Sequence, residues 1–255
     1  MDNSKVFELG KYRFKLRNYS QADAADVEAL FPIAGQGSSE HPTETLDLLT
    51  QERGGVRAII NTALQHHQDC IWIAAATLIS PNGKCFLFAG PSCSGKSSLA
   101  TALAFGKDWR IVAEDVSLID TNLNQFVSFV SPISMKAGAL QLVASVIGEV
   151  HCPPLFNEWI PLKTKAVIAY PSAKIDFAFI LEVLDNGGAQ EVLTTSQISP
   201  ELLLIKLLPL SNLLHLNNAT EQFSNYLKAA RCFKLCGGHL NERLDFVIEL
   251  SGLAR

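Results

Sequence analysis

The chain has 255 residues, 48% of them hydrophobic and 18% charged, with a net charge of −4. That length and apolar content suit one large domain, or a domain with a small appendage, and exclude a disordered chain. No basic block occurs, which excludes a sequence-independent nucleic-acid binder, because such proteins need a cationic face. The polar start Met1-Asp2-Asn3-Ser4-Lys5 has no apolar run behind it and does not read as a secretory leader. The stretches Cys70–Ser80 and Leu202–Leu216 are too short or too interrupted to span a bilayer, so a cytoplasmic location away from the membrane is expected. Cysteines stand at 70, 85, 93, 152, 232 and 236. Only the last two are close together, and no second close pair completes a tetrahedral zinc site, so reduced structural thiols are expected.

In chain order, Val6–Tyr19 alternates β-formers and predicts one or two short strands, and Gln21–Leu30 predicts a helix stopping before Pro32. Gly, Ser, Pro and His crowd residues 34–43, a loop signature that suggests an N-terminal extension over 1–40 and a main domain over 41–255. Thr45–Gln68 reads as a helix broken at Gly54-Gly55. Ile71–Ile79 and Lys84–Ala89 are apolar β runs around Asn82-Gly83. Both positions of a type I′ turn need positive φ, so Asn-Gly there predicts an antiparallel hairpin.

Gly95–Phe105 predicts a helix with Gly106 as its stop. Arg110–Ala113 predicts a strand ending at Glu114-Asp115, with Ser117–Asp120 as a candidate extension. Ala137–Glu149 predicts a helix and His151–Pro161 a loop. Ala166–Tyr170, Asp176–Asp185 and Gln190–Thr195 predict strands, the last two paired as a hairpin around Asn186-Gly187-Gly188. Pro200–Leu214, Ala219–Ala230 and Asn241–Leu253 predict helices, with a strand at Cys232–Cys236. The leucines of Leu202–Leu216 read as a core-packing face, His66-His67 as an exposed helix end and His151 as a loop residue.

Gly90-Pro91-Ser92-Cys93-Ser94-Gly95-Lys96-Ser97 fits the pattern G-x-x-x-x-G-K-[ST] between an apolar strand and a helix, the context a phosphate-binding loop requires. Such a loop wraps backbone N–H groups around phosphate oxygens, so Gly90 and Gly95 supply conformations and closeness that a Cβ would obstruct. The helix that follows aims unpaired N–H groups and partial positive charge at the same anion, and Ser98 extends its first turn. Lys96 reaches the β- and γ-phosphates, and the Ser97 hydroxyl can ligate Mg²⁺. Glu114 and Asp115 end a strand where an acidic partner approaches the metal. One of two such acids can hold the metal while the other takes a proton. Strand alternation would point them to opposite sides unless the chain bends there. A nucleoside triphosphate with Mg²⁺, most readily ATP, is the expected ligand.

Three segments resemble the HPr kinase/phosphorylase superfamily, specifically its compact HPr-kinase-related serine kinases of the type that tailors peptides such as lasso-peptide precursors. They are the hairpin IWIAAATLISPNGKCFLFA running into GPSCSGKSSLATAL, the segment RIVAEDVSLI in place of a paired-acid Val-Ala-Asp-Asp motif, and Ser131–Lys136, similar to a Pro-Ile-Ser-Leu-Lys segment. The resemblance covers residues 70–140.

It implies an α/β P-loop kinase fold with a mixed, partly antiparallel sheet, like that of phosphoenolpyruvate carboxykinase and HPr kinase. It implies transfer of the ATP γ-phosphate to a hydroxyl, usually serine of a peptide or protein. By the same carry-over Gly90, Gly95, Lys96 and Ser97 hold phosphates and Mg²⁺, Glu114 is the metal-side acid and Asp115 the general base. Lys136 lies near the phosphates or the substrate, and the oligomeric state stays open, with a homo-oligomer among the options because hexamers are common among the bifunctional relatives. Cys93 departs from a common Gly, and Glu114 from the first Asp of the pair. Ile73 stands where the bifunctional enzymes have His, which favours a one-way kinase. A small hydroxylated metabolite such as free serine as acceptor, and a non-catalytic nucleotide-binding regulator, stay open beside this reading, as do GTP as the nucleotide and the opposite division of roles between Glu114 and Asp115.

Overall fold

The computed structural model describes residues 5–17, 24–31, 44–47, 55–150, 152, 159–166, 173–182 and 192–253. Its first elements are β1 (Lys5–Leu9), β2 (Tyr12–Arg17), α1 (Ala24–Leu30), β3 (Glu44–Asp47), α2 (Gly55–Gln65), β4 (Ile71–Ile73), β5 (Ala75–Ile79) and β6 (Cys85–Ala89). There follow α3 (Lys96–Gly106), β7 (Arg110–Ala113), β8 (Ser117–Asp120), β9 (Gln125–Val127), β10 (Ile133–Ser134), α4 (Ala137–Ile147) and β11 (Trp159–Ile160). The last are β12 (Phe177–Glu182), β13 (Thr194–Ile198), α5 (Pro200–Leu207), α6 (Ala219–Leu227), β14 (Arg231–Cys236) and α7 (Leu240–Ser251).

The fold is mixed α/β around a six-stranded sheet of order β13-β14-β12-β6-β5-β7. β6, β12 and β14 run parallel, whereas β5 pairs antiparallel with both β6 and β7, and β13 antiparallel with β14. The predicted hairpin around Asn82-Gly83 is therefore β5–β6. All five residues of β6 are buried, because both faces of the sheet are covered. This is why the run is continuously apolar rather than alternating.

On one face Phe86 and Phe88 stack with Phe177 and Phe179 of β12, and Phe179 stacks with Phe233 of β14. Each ring pair contributes about 0.5–1.5 kcal/mol beyond simple burial. Buried leucines and alanines of α3, with residues of α4 and α7, close this face. On the other face Cys85, Leu87, Ala89, Ala178 and Ile180 meet α5, α6 and the antiparallel sheet β4-β8-β9.

Several elements depart from expectation for local physical reasons. The run Ile71–Ile79 is two strands in different sheets. Ala74 breaks it by donating its N–H to the Leu210 carbonyl (2.7 Å) and accepting the Gly90 N–H (3.4 Å). Ser117–Asp120 does not extend β7 but belongs to the second sheet, with β4 and β9. β12 and β13 do not form the expected hairpin, because β12 spends its two edges on β6 and β14, leaving β13 to pair with β14. The turn expected there, at 186–188, lies outside the described residues. Residues 44–47 form strand β3, and the helix read over 45–68 is confined to α2. α5 stops at Leu207 and passes into a 3₁₀ turn over Leu208–Leu210, where Pro209 lacks the N–H a helix needs.

The expected boundary near residue 40, and His151, lie outside the described residues. β2 pairs antiparallel with β1 and parallel with β3. Phe7, Phe14, Leu30 and Phe31 share a core with Val56 and Ile59 of α2, Ala113, Leu118 and Phe129. The N-terminal strands are thus packed onto the elements that carry Glu114. Ile73 is fully buried in the core. Among the described residues no helix is long and apolar enough to cross a membrane.

His66 is exposed, but His67 is not: it is 1% exposed and joins the N-terminal hairpin to α2. Its Nε2 accepts the Lys11 N–H (2.8 Å), which fixes the neutral tautomer whose Nδ1–H donates to the Ala63 carbonyl (2.7 Å). Burial, aided by Lys11, holds its pKa below the usual 6.5. The unfolded chain therefore takes up a proton here before the folded one does, and stability falls as pH drops below about 6.5. Urea denaturation at pH 5 and pH 7.5 is expected to show this loss, with a smaller pH dependence in His67→Gln.

Candidate functional site

The segment from Gly90 to Ser97 leaves the carboxyl end of β6, at the sheet centre, and opens α3. A Cβ at Gly90 would lie 2.5 Å from the Leu181 carbonyl and 2.7 Å from Ser94 Oγ, so only glycine lets the loop pass so close to β12. Gly95, at φ +93°, precedes α3, and its Cβ would lie 2.9 Å from an Arg243 guanidinium nitrogen. Cys93 also has positive φ, +65°. A side chain there stores about 1–3 kcal/mol of backbone strain.

Lys96 is 6% exposed, and its ammonium donates to the Gly90 and Pro91 carbonyls (2.8 and 3.0 Å). Burial lowers its pKa, while Asp115 and Glu114 act the other way. Ser97 Oγ donates to Glu114 Oε1 (2.6 Å), joining the first turn of α3 to the end of β7. Glu114 is 2% exposed, and burial together with the neighbouring Asp115 pushes its carboxyl up to about 7. Asp115 is exposed at φ +62°, and around it the Val116 N–H bonds back to the Glu114 carbonyl (2.7 Å). That tight turn removes the strand alternation. Both acids line the same cavity.

The cavity holds about 640 Å³. The loop, with Gly90, Pro91, Ser92, Cys93, Gly95, Lys96, Ser97 and Ser98, lines it together with Glu114 and Asp115. The expected Lys136 lines it too, as does the rest of the segment from Ser131 that shares its strand-to-helix bend. Ser94 is the exception. Its hydroxyl is buried beneath the loop without a hydrogen-bond partner among the described residues.

The donor set suits Mg²⁺: a hydroxyl and a carboxylate are hard oxygen ligands that already converge at 2.6 Å. Among the described residues no group of three His, Cys, Asp or Glu could hold a metal by itself.

Two contributors were not found by sequence reasoning. Arg243 of α7 donates through Nε to the Gly237 carbonyl and through Nη1 to the Ser94 carbonyl, each at 2.8 Å. A trans peptide points its C=O and N–H in opposite directions, so this bond turns the Gly95 N–H away from Arg243. Arg57 of α2 is the other, lining the cavity with Ile60, Asn61 and Leu64 as one helical stripe. Neither lies within 30 residues of the motif, and no sequence signal marked either one.

Arg243→Ala is expected to speed amide hydrogen exchange at residues 94–97 while leaving β6 and β12 protected, and Arg243→Lys to restore only part of that protection. Cys93→Gly is expected to raise stability by about 1 kcal/mol in urea denaturation, because it relieves the positive-φ strain, whereas the β-branched Cys93→Val lowers it.

No family model matches this sequence, and no curated protein matches it. Among solved structures it is similar to an HPr(Ser) kinase/phosphatase from Coxiella burnetii, at 16% identity over 71% of this chain and 97% of that one, with a TM-score of 0.29. At that score the likeness carries no argument about family or activity.

Proposed function

We propose that the protein is a Mg²⁺-dependent kinase that transfers the γ-phosphate of ATP to a hydroxyl, most readily a serine of a peptide or protein. The observation that carries this reading is the convergence of Lys96, Ser97, Glu114 and Asp115 on one cavity at the mouth of a glycine-rich strand–loop–helix. The sequence resemblance over residues 70–140 supports it as well.

In this reading the loop amides and the first turn of α3 receive the polyphosphate, to which the helix N-terminus adds partial positive charge. Lys96 leaves the Gly90 and Pro91 carbonyls for phosphate oxygens, exchanging neutral acceptors for charged ones. Ser97 and Glu114 would hold the metal, which when bound supplies charge neutralisation at the transferring phosphoryl group. The two side chains then give up their mutual hydrogen bond. Asp115, exposed at the cavity, accepts the proton of the attacking hydroxyl. Phosphoryl transfer passes through a loose transition state, so the protein's work is positioning and charge stabilisation rather than covalent chemistry.

Lys96→Ala is expected to weaken Mg²⁺-ATP binding more than tenfold, roughly the worth of a charge-assisted hydrogen bond. Asp115→Asn is expected to keep nucleotide affinity and lose about 10²–10⁴-fold in phosphotransfer. Calorimetric titration with Mg²⁺-ATP reads the affinities and incubation with γ-labelled ATP and candidate serine peptides reads the transfer, and full transfer by Asp115→Asn would overturn the base assignment. Label on free serine instead of a peptide would move the reading to a metabolite kinase. Tight nucleotide binding with no transfer to any acceptor would move it to a regulator.

A further inference from the structure

The cavity lining also carries positive charge that lies off the glycine-rich loop. Arg57 and Asn61 face it from successive turns of α2, and Ser131, Ser134 and Lys136 face it from the segment leading into α4. Some surface cations elsewhere pair with carboxylates, Lys11 with Asp120, Lys165 with Asp108, and Lys206 and Lys234 with Glu182. Among the described residues neither Arg57 nor Lys136 takes part in an ion pair. Arg57 is oriented by the Trp159 ring, 5.9 Å from its guanidinium. Ser131 is 2% exposed and lines the cavity, and its hydroxyl forms no hydrogen bond among the described residues. Lys136 is the N-cap of the 11-residue α4 and makes no side-chain capping bond, and with Ala139 of the first turn it lines the cavity.

We infer that Arg57, Ser131, Lys136 and the N-terminus of α4 form a second anion site, which binds a carboxylate carried by the phosphoacceptor close to its hydroxyl. This rests on the kinase reading for the identity of the other occupant, the nucleotide. The charge arithmetic favours it. Lys96, the loop amides and a metal at Ser97–Glu114 answer the polyphosphate, leaving two cations uncommitted. A neutral hydroxyl would need neither cation. An anionic acceptor, in contrast, would be driven away by Glu114, Asp115 and the triphosphate unless opposite charge lay on its side of the cavity.

The test uses malonate as the probe, titrated calorimetrically at low ionic strength into the full chain, first free and then saturated with Mg²⁺ and a non-hydrolysable ATP analogue. The nucleotide-loaded protein is expected to bind one malonate, more weakly as salt rises. Arg57→Gln and Lys136→Gln are each expected to weaken malonate about tenfold or more, the worth of a charge-assisted hydrogen bond, with nucleotide affinity unchanged. Unchanged nucleotide affinity also shows that the variants fold.

The site is refuted if the loaded protein takes no malonate or if both variants bind it as wild type does. It is equally refuted if the replacements weaken the nucleotide instead, which would assign these cations to its phosphates. Failure of the nucleotide to bind at all would count against the kinase reading alone, and malonate binding to the free protein and its two variants would still decide the anion site. Displacement of malonate by L-serine would assign the carboxylate to a free hydroxy acid. Displacement by a serine peptide flanked by glutamates would assign it to an acidic peptide, and displacement by neither would overturn the acceptor role.

Discussion

Gly90 is where the sheet and the site become one object. β6 is paired antiparallel on one side and parallel on the other, and its last residue hands the chain to a loop that must cross directly over the end of β12. The Leu181 carbonyl leaves no room for a side chain there. The Gly90 N–H reaches back to Ala74, at the bend where β4 and β5 part company. The absence of one methyl-sized group therefore decides how closely the loop hugs the sheet. It also sets the direction in which α3 leaves and the point where Ser97 meets Glu114.

From that anchor the loop is held by charge as well as by sterics. Arg243 grips it from α7, and Lys96 holds it from within. Both cations sit in largely buried surroundings, and burial lowers the pKa of each. An ammonium spending its hydrogen bonds on neutral carbonyls is satisfied but not well matched, since a charged acceptor would form shorter and stronger bonds. The same holds for Glu114, whose buried carboxyl is raised by Asp115 beside it. These groups are arranged so that an incoming polyanion and a divalent cation would relieve two electrostatic costs at once.

What could be read from the sequence follows the range of the interaction involved. The β5–β6 hairpin, the glycine-rich turn and α3 are local: Asn82-Gly83, Gly90 and Gly95 specify backbone geometry within a few residues. Pairing partners were less accessible. Nothing in Asp176–Asp185 announces that both of its edges are taken, because those partners come from residues near 86 and near 233. The break at Ala74 was invisible for the same reason, since its cause is the Leu210 carbonyl more than a hundred residues away. His67 looked like a surface residue because its acceptor role depends on the backbone of Lys11 folding over it. Arg243 and Arg57 reached the site through tertiary packing alone. The paired acids were found by motif, but the bend that lets both face one cavity had to be seen, because it requires a positive φ at an aspartate.

Several departures from locally favoured chemistry lie at the site, besides the positive φ of Asp108, Asn124 and Asn218 and the unpartnered buried Trp109 indole elsewhere among the described residues. Cys93 and Asp115 adopt left-handed backbone without being glycine, and Glu114 carries a carboxyl into a fully buried position beside another acid. Ser94 buries a hydroxyl with no partner among the described residues. Stability alone would favour glycine at 93, glycine or asparagine at 115 and an uncharged residue at 114. Away from this loop the sheet obeys the ordinary rules, with stacked rings on one face and small apolar side chains on the other. Strain and buried charge persist only where the surrounding structure over-determines them. Here that surrounding structure is the centre of the six-stranded sheet, where every residue of β6 is buried. A well-packed scaffold that holds a few locally unfavourable residues around one cavity is the pattern expected of a functional site.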